Sequence, residues 1–236
     1  MDLSYFIQHT LPILLVELGA AVAGTYYIRK NDRLKSTTYL VLFLWITLLV
    51  ELMGYYAGIA HFTEYKYFAF VKGTLFQSNY WLFNCYTVLS FSFFIYYFRS
   101  FLRAASWRLL LAGFLVFFIV SSILSFFITD TFFTSYSQFV SLVGTLLLAI
   151  SIVLFYFELL RSDILLQLKR FLPLYISVGV LVFNLCITPV DIFSEYFKNN
   201  TFLVELKVYV YLYANIFMYT SFIIGFIVCS KKKRSY

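Results

Sequence analysis

Two glutamates stand in stretches that are otherwise free of charge, Glu17 inside the apolar run 5-28 and Glu51 inside the run 38-60. At a rise of 1.5 Å per residue they lie roughly 18 Å and 13 Å in from the nearer end that the two runs share, close to the middle of a bilayer. No Lys or Arg occurs in any of the apolar runs. An uncompensated carboxylate there costs on the order of 2.5 to 3.5 kcal/mol or more, so each acid needs a proton, a cation or strong hydrogen-bond donors. The chemistry open to such a pair is the binding of a proton, an ion or a ligand.

Both acids sit in the same local string, Leu14-Leu15-Val16-Glu17-Leu18 and Leu48-Leu49-Val50-Glu51-Leu52. Ala20 and Gly24 follow Glu17 at offsets three and seven, and Gly54 and Gly58 follow Glu51 at the same offsets. On a helix these positions share one face, and small residues there let another helix approach. The two runs are therefore expected to pack as neighbours with their glutamates turned toward protein. One shared pentapeptide in a Leu-rich chain is read as coincidence and not as an inverted repeat.

Other polar groups fall at similar depth: Asn84, Asn184 and Asn215, with Tyr55 and Trp81 among the possible neighbours. Tyr56, Tyr86, Ser177, Thr188, Tyr211 and Thr220 extend that set, and Pro189 and Gly179 could bend the sixth span and free backbone carbonyls. Together they allow a polar, aromatic-walled pocket in one half of a helical bundle. The competing reading is structural: Asn and protonated Glu bond across helices at about 0.6 kcal/mol per pair. For each asparagine taken singly, that reading is the better one. His9 and His61 are expected at helix ends, solvated. Glu158 is expected to pair with Arg161 three residues on. The fourth and fifth spans carry only Ser and Thr as interior polar groups and are expected to form the lipid-facing back.

The elements that must position these residues follow from composition. The chain has 236 residues, 62% in the hydrophobic set, 23% aromatic and 12% charged, about half the charge of a soluble domain. Apolar runs of spanning length fall at 5-28, 38-60, 80-98, 109-128, 137-160, 171-190 and 208-229, which predicts an all-α integral membrane protein with seven transmembrane helices in one domain. The remaining positions are too few for an appended soluble domain. The first run opens with Asp2, contains Glu17 and precedes its basic residues, so it reads as a retained span and not as a cleaved signal.

Charge fixes the orientation. Arg29, Lys30, Arg33, Lys35, Arg99, Arg103, Arg108, Arg161, Lys169, Arg170, Lys231, Lys232, Lys233 and Arg234, fourteen of the 18 basic residues, fall on one alternate set of connections. Lys66, Lys72, Lys198 and Lys207 share the other set with Asp2, Glu64, Asp130, Asp191, Glu195 and Glu205. The positive-inside rule then puts the N-terminus outside and the C-terminus in the cytoplasm. The formal net charge of +7 is accounted for by that bias, with anionic lipid as its partner and no nucleic acid implied. Two outer connections, 61-79 and 191-207, are expected to be long, with rings at the headgroup level or forming a lid. The sequon Asn199-Asn200-Thr201 lies in the second of them.

Several function classes drop out. Cys85, Cys186 and Cys229 lie in apolar stretches and behave as small hydrophobes. Two histidines and no Gly-rich phosphate loop exclude zinc-hydrolase and nucleotide motifs, and no nucleophile and base constellation marks an enzyme. No metal and no cofactor is expected. The seventh span has no lysine in its middle, as a retinal protein would require.

The segments LLVELMGYY (48-56), NYWLFNCYTVLSFSFF (79-94), PLYISVGVLVFN (173-184) and ANIFMYTSFIIGFIVC (214-229) resemble small, largely uncharacterised seven-helix inner-membrane proteins of Bacteroidota. The resemblance covers the second to seventh spans and implies a seven-helix fold in a bacterial cytoplasmic membrane, but no activity. Where such relatives more often carry a Glu in the third span, this chain has Ser90-Phe91, and no site is carried over there.

The expectation from sequence is thus a non-enzymatic seven-helix protein that binds a small ligand, cation or partner helix through the outer half of its bundle, in a sensory or accessory role. Glu17, Glu51, Asn84, Asn184, Asn215, Tyr55 and Trp81 are its candidate site. A protein partner would meet the basic cytoplasmic loops or a helix face. The alternative is a small proton- or cation-coupled transporter using the two glutamates.

Overall fold

A computed structural model describes residues 3–31, 34–162, 168–197 and 200–230. Asp2, Arg33, Lys198, Asn199 of the sequon and the run Lys231-Lys232-Lys233-Arg234 lie outside the described residues, as does the side chain of Glu195. Eight α-helices follow in order: α1 (Leu3–Lys30), α2 (Lys35–Phe62), α3 (Tyr80–Arg99), α4 (Ala105–Ile128), α5 (Thr131–Thr134), α6 (Gln138–Leu160), α7 (Leu172–Phe197) and α8 (Thr201–Ser230). Seven of them are long and apolar enough to cross a membrane, and among the described residues there is no strand. Each covers one of the runs read from the sequence.

The helix ends follow local chemistry. Ser137 caps α6 by accepting from the Val140 amide, and Asn200 opens α8 by accepting from the amides of Phe202 (3.0 Å) and Leu203 (3.3 Å). Pro173 sits in the first turn of α7, where its missing N–H costs nothing. Pro189 lies within α7 and removes the donor that would have met the Leu185 carbonyl, yet the helix runs on to Phe197. With α7 reaching Phe197 and α8 starting at Thr201, most of the long loop expected at 191-207 is instead helix. The apolar window that located the spans stopped at charged Asp191 and Lys207, but helical hydrogen bonding does not.

The connection from Thr63 to Asn79 is the long one, and it is tied down. Tyr56 donates its hydroxyl to the carbonyls of Phe76 (2.6 Å) and Ser78 (2.9 Å), and Trp81 Nε1 donates to the Tyr56 oxygen (3.1 Å). Asn79 donates to the Gly54 carbonyl at 3.0 Å. Glu64 and Tyr65 adopt positive φ, a conformation that non-glycine residues take only where surrounding contacts hold it. The rings of Tyr67 and Phe70 remain exposed.

Neighbour contacts run α1 to α2, α2 to α3, α3 to α6, α6 to α7, α7 to α8 and α8 back to α1. Six helices therefore close a ring. α4 stands outside it, against α3 and α6, with Leu109, Val116, Phe117 and Phe127 turned outward. The expectation for the fourth span thus matches the structure, and that for the fifth is corrected. That span is α6, which belongs to the ring and buries Thr145, Leu148, Ser151, Ile152 and Phe155. Its polar groups are as sparse as those of α4, but Gly144 admits the Phe91 ring so closely that a Cβ would lie 2.4 Å from it. Steric fit, together with the Thr145–Thr188 and Tyr156–Ser177 hydrogen bonds to α7, holds α6 in the ring.

The glycine stripes are also redirected. Gly54 faces Phe83 of α3 and Gly58 faces Phe6 of α1, so the GxxxG of α2 receives aromatic rings and not a second backbone. The close backbone approach is between α7 and α8, where a Cβ at Gly179 would sit 3.1 Å from the Met218 carbonyl oxygen.

Candidate functional site

The six-helix ring encloses a cavity of ≈ 680 Å³, within the range of small-molecule sites. It extends along α8 from Val204 to Phe222, about 27 Å at 1.5 Å per residue. No residue of α4 and none of the 63–79 connection lines it. The aromatic connection is therefore no lid. The segment Thr134–Gln138, between α5 and α6, forms part of the rim instead.

Three levels can be distinguished. At the mouth Asp191 of α7 meets α8: the Tyr211 hydroxyl donates to Asp191 Oδ1, and Lys207 Nζ lies 3.8 Å from the same oxygen. Gln138 Nε2 donates to the Asp191 carbonyl at 3.3 Å, which ties α6 to the pair. At mid-depth Glu51 and Tyr55 of α2 face the cavity, with Tyr86 of α3, Asn184 of α7 and Asn215 and Tyr219 of α8 around them. The floor is apolar, made by Phe43, Leu44, Phe91, Phe94, Leu148 and Phe222.

Below the floor the ring is filled by aromatic side chains. Phe43 stacks on Phe93 with centroids 4.2 Å apart, Tyr97 packs on Phe98 and Phe101, and Phe155 packs on Phe98 and Phe171. Phe98 and Phe226 are buried with them. The cavity thus opens at the end of the bundle that carries the Thr63–Asn79 connection and closes toward the end that carries most of the basic residues.

The seven residues singled out from the sequence divide into three groups. Glu51, Tyr55, Asn184 and Asn215 line the cavity. Each of the two asparagines donates one amide hydrogen at 2.8 Å to the carbonyl one turn earlier in its own helix, Val180 or Tyr211, and the rest of its carboxamide remains for the cavity.

Asn84 touches the cavity wall but is fully occupied by structure. Its Nδ2 lies within hydrogen-bond distance of the carbonyls of Ser135 (2.9 Å), Phe132 (3.1 Å) and Thr131 (3.3 Å), and its Oδ1 accepts from the Ser137 amide at 3.0 Å. At 2% exposure it pins α5 and the rim segment to α3, as the structural reading of a single asparagine held. The sequence did not show α5 at all, because four residues carry no periodicity.

Glu17 and Trp81 do not reach the cavity. Trp81 is committed to Tyr56 in the connection described above. Glu17 lies behind the wall at 2% exposure, close enough to Glu51 for the two carboxyl groups to interact, with the Tyr219 hydroxyl beside it. Its Oε2 has no hydrogen-bond partner. The expected adjacency of the two glutamates is thus found, but only one of them faces the cavity.

The extended neighbour set sorts in the same way. Tyr86 and Tyr211 line the cavity, whereas Ser177 bonds Tyr156 (2.9 Å) and Thr188 bonds Thr145 (2.8 Å) across helix pairs. His9 packs on Tyr5 and Tyr209, and neither His9 nor His61 lines the cavity. Glu158 forms no ion pair with Arg161, whose guanidinium lies over the Phe157 ring at 4.1 Å. An exposed pair offers little against that stacking. All three cysteines are free thiols. No group of three or more His, Cys, Asp or Glu that could hold a metal is found among the described residues.

Sequence reasoning missed Asp191 and Lys207. It placed both in a loop, whereas α7 runs on past Asp191 and α8 begins before Lys207. In comparisons with known proteins, no family model, no curated protein and no solved structure matches this chain.

Proposed function

We propose that this chain is a non-enzymatic, receptor-like membrane protein that binds a small molecule in the cavity of its six-helix ring. The single observation that carries this reading is the cavity itself, open at one end, polar at mid-depth and closed below by packed rings. An enclosed space of this kind suits a small molecule better than a partner helix, which would need an open groove along an outer face. We place the open end outside and the basic end in the cytoplasm, on the Lys and Arg bias, and the protein in a bacterial cytoplasmic membrane, on the resemblance of its second to seventh spans. With the basic loops at the closed end, its output is contact with a separate membrane or cytoplasmic protein, in a sensory or accessory role.

Native mass spectrometry of the protein extracted gently from its membrane tests this. The expected result is a chain carrying a small-molecule adduct that is lost in Asn215→Phe, where a ring would occupy the cavity. An adduct-free chain that instead travels with another protein at fixed stoichiometry would overturn the small-molecule reading in favour of a structural subunit.

A second reading, a proton- or cation-coupled transporter, draws on one observation: the Glu17 oxygen without a partner lies directly behind Glu51. It predicts gradient-driven uptake into liposomes that Glu17→Gln abolishes, and equal flux in that variant and the wild type would sink it.

A further inference from the structure

The polar and apolar parts of the cavity are arranged in a way that bears on what it binds. Glu51 stands on the wall, and the floor residues Phe43 and Leu44 lie seven or eight residues deeper on the same helix, about 11 Å by the helical rise. Between these levels the wall carries the hydroxyls of Tyr86, Thr87, Ser90 and Tyr219 but no charged side chain. The cavity's positive charge is confined to Lys207, which sits at the mouth and is already paired with Asp191. Below the mouth, Glu51 and Glu17 face no cation among the described residues, and the Glu17 Oε2, at 2% exposure, has no partner.

An anion entering this space would meet Glu51, with Glu17 behind it, and no free counter-charge. A neutral ligand would leave the requirement of the acids to be met by protons alone. A cation meets it directly, and the rings of Tyr55 and Tyr86, which line the cavity with Glu51, are side chains whose quadrupoles attract an ammonium group alongside the carboxylate. An inorganic ion would leave the apolar floor unused, and no metal-binding group is present among the described residues.

Resting on the reading that the cavity binds a small molecule, we infer that its ligand is an amphiphilic organic ammonium ion, bound with the charged group at Glu51 and the apolar body on the Phe94–Phe222 floor. Glu51 is the contact residue. Glu17 stands behind it and does not touch the ligand. Where Glu51 carries a proton in the unliganded protein, that proton leaves for solvent as the ammonium arrives, so the net charge of the site is conserved.

The test uses three probes of nearly one shape, phenylbutylamine, phenylbutanol and phenylbutyrate, titrated onto the purified full chain in detergent, with calorimetric affinity and thermal shift as readouts. The amine is expected to bind about tenfold or more tighter than the alcohol, the worth of a charge-assisted bond, and the carboxylate not at all. Glu51→Gln is expected to bring the amine down to the level of the alcohol while leaving the alcohol within about threefold, at unchanged unliganded Tm. If that variant does not fold, Tyr55→Leu replaces it, with the amine preference expected to fall by about fivefold through loss of the ring contact. Equal binding of amine and alcohol to the wild type overturns the inference and leaves the small-molecule reading intact. Sodium chloride competing with the amine more strongly than choline chloride at equal ionic strength also overturns it, in favour of an inorganic cation site. If no probe binds while the extracted protein carries a native adduct, the ammonium inference alone falls; if there is no adduct either, both fall.

Discussion

The two halves of this bundle are built by the same six helices and end in opposite ways. Toward the Thr63–Asn79 connection the ring stands open around tyrosines, asparagines and a glutamate, and toward the basic end it closes on Phe93, Tyr97, Phe98, Phe155 and Phe226. The closed half follows the ordinary logic of an apolar interior, in which rings meet edge to face and stack. In the open half Asn184 and Asn215 bond back onto their own helices, while Asn84, Tyr86 and Tyr211 bond across to neighbouring elements around the rim and wall.

If that contrast is right, the largest effect of a single truncation belongs to the closed half. Phe98→Ala, at a fully buried ring packed between α3 and α6, is expected to cost about 3 to 5 kcal/mol. A Tm in detergent that falls by only a degree or two would mean the aromatic half is not the stable part of the fold.

A smaller effect is expected at the rim. Asn84→Ala removes the acceptor of the buried Ser137 amide and the donor shared by three carbonyls, which should cost about 1 to 3 kcal/mol. Proteolysis should then begin near the Thr134–Gln138 segment; cleavage first in the Thr63–Asn79 connection would show that Asn84 does not hold the rim.

The smallest effect sharpens the comparison. Glu17 is buried to the same 2% as Asn84, but with a partnerless oxygen. Glu17→Gln is expected to change stability by less than about 1 kcal/mol in either direction. Denaturant titration that put its cost near that of Asn84→Ala would make Glu17 a structural residue and remove it from the cavity's electrostatics.

How far the site could be read from the chain depends on the residue. Glu51 was legible because an acid in an apolar run demands a reason, and Tyr55 followed from being one turn away. Asn84 and Glu17 were legible as buried polar groups, but their roles were not: the first depends on α5, too short to leave a pattern, and the second on which way a helix is rotated. Trp81 was drawn to the site by depth alone, and depth does not distinguish a wall from a neighbouring connection. Asp191 and Lys207 were hidden because charge at the end of an apolar run looks like the end of a helix.

The sequence by itself determined how many long helices form and nearly where they lie, since run length and hydrophobicity set what can cross a bilayer and charge marks the breaks. Tertiary structure alone decided which six helices close the ring, that α4 stays outside, and which of two neighbouring glutamates faces the cavity. When almost every position on a helix is apolar, periodicity does not name the inward face. The choice then falls to the fit of particular rings against particular glycines, Phe91 on Gly144 and Phe83 on Gly54, and that fit exists only once the helices have met.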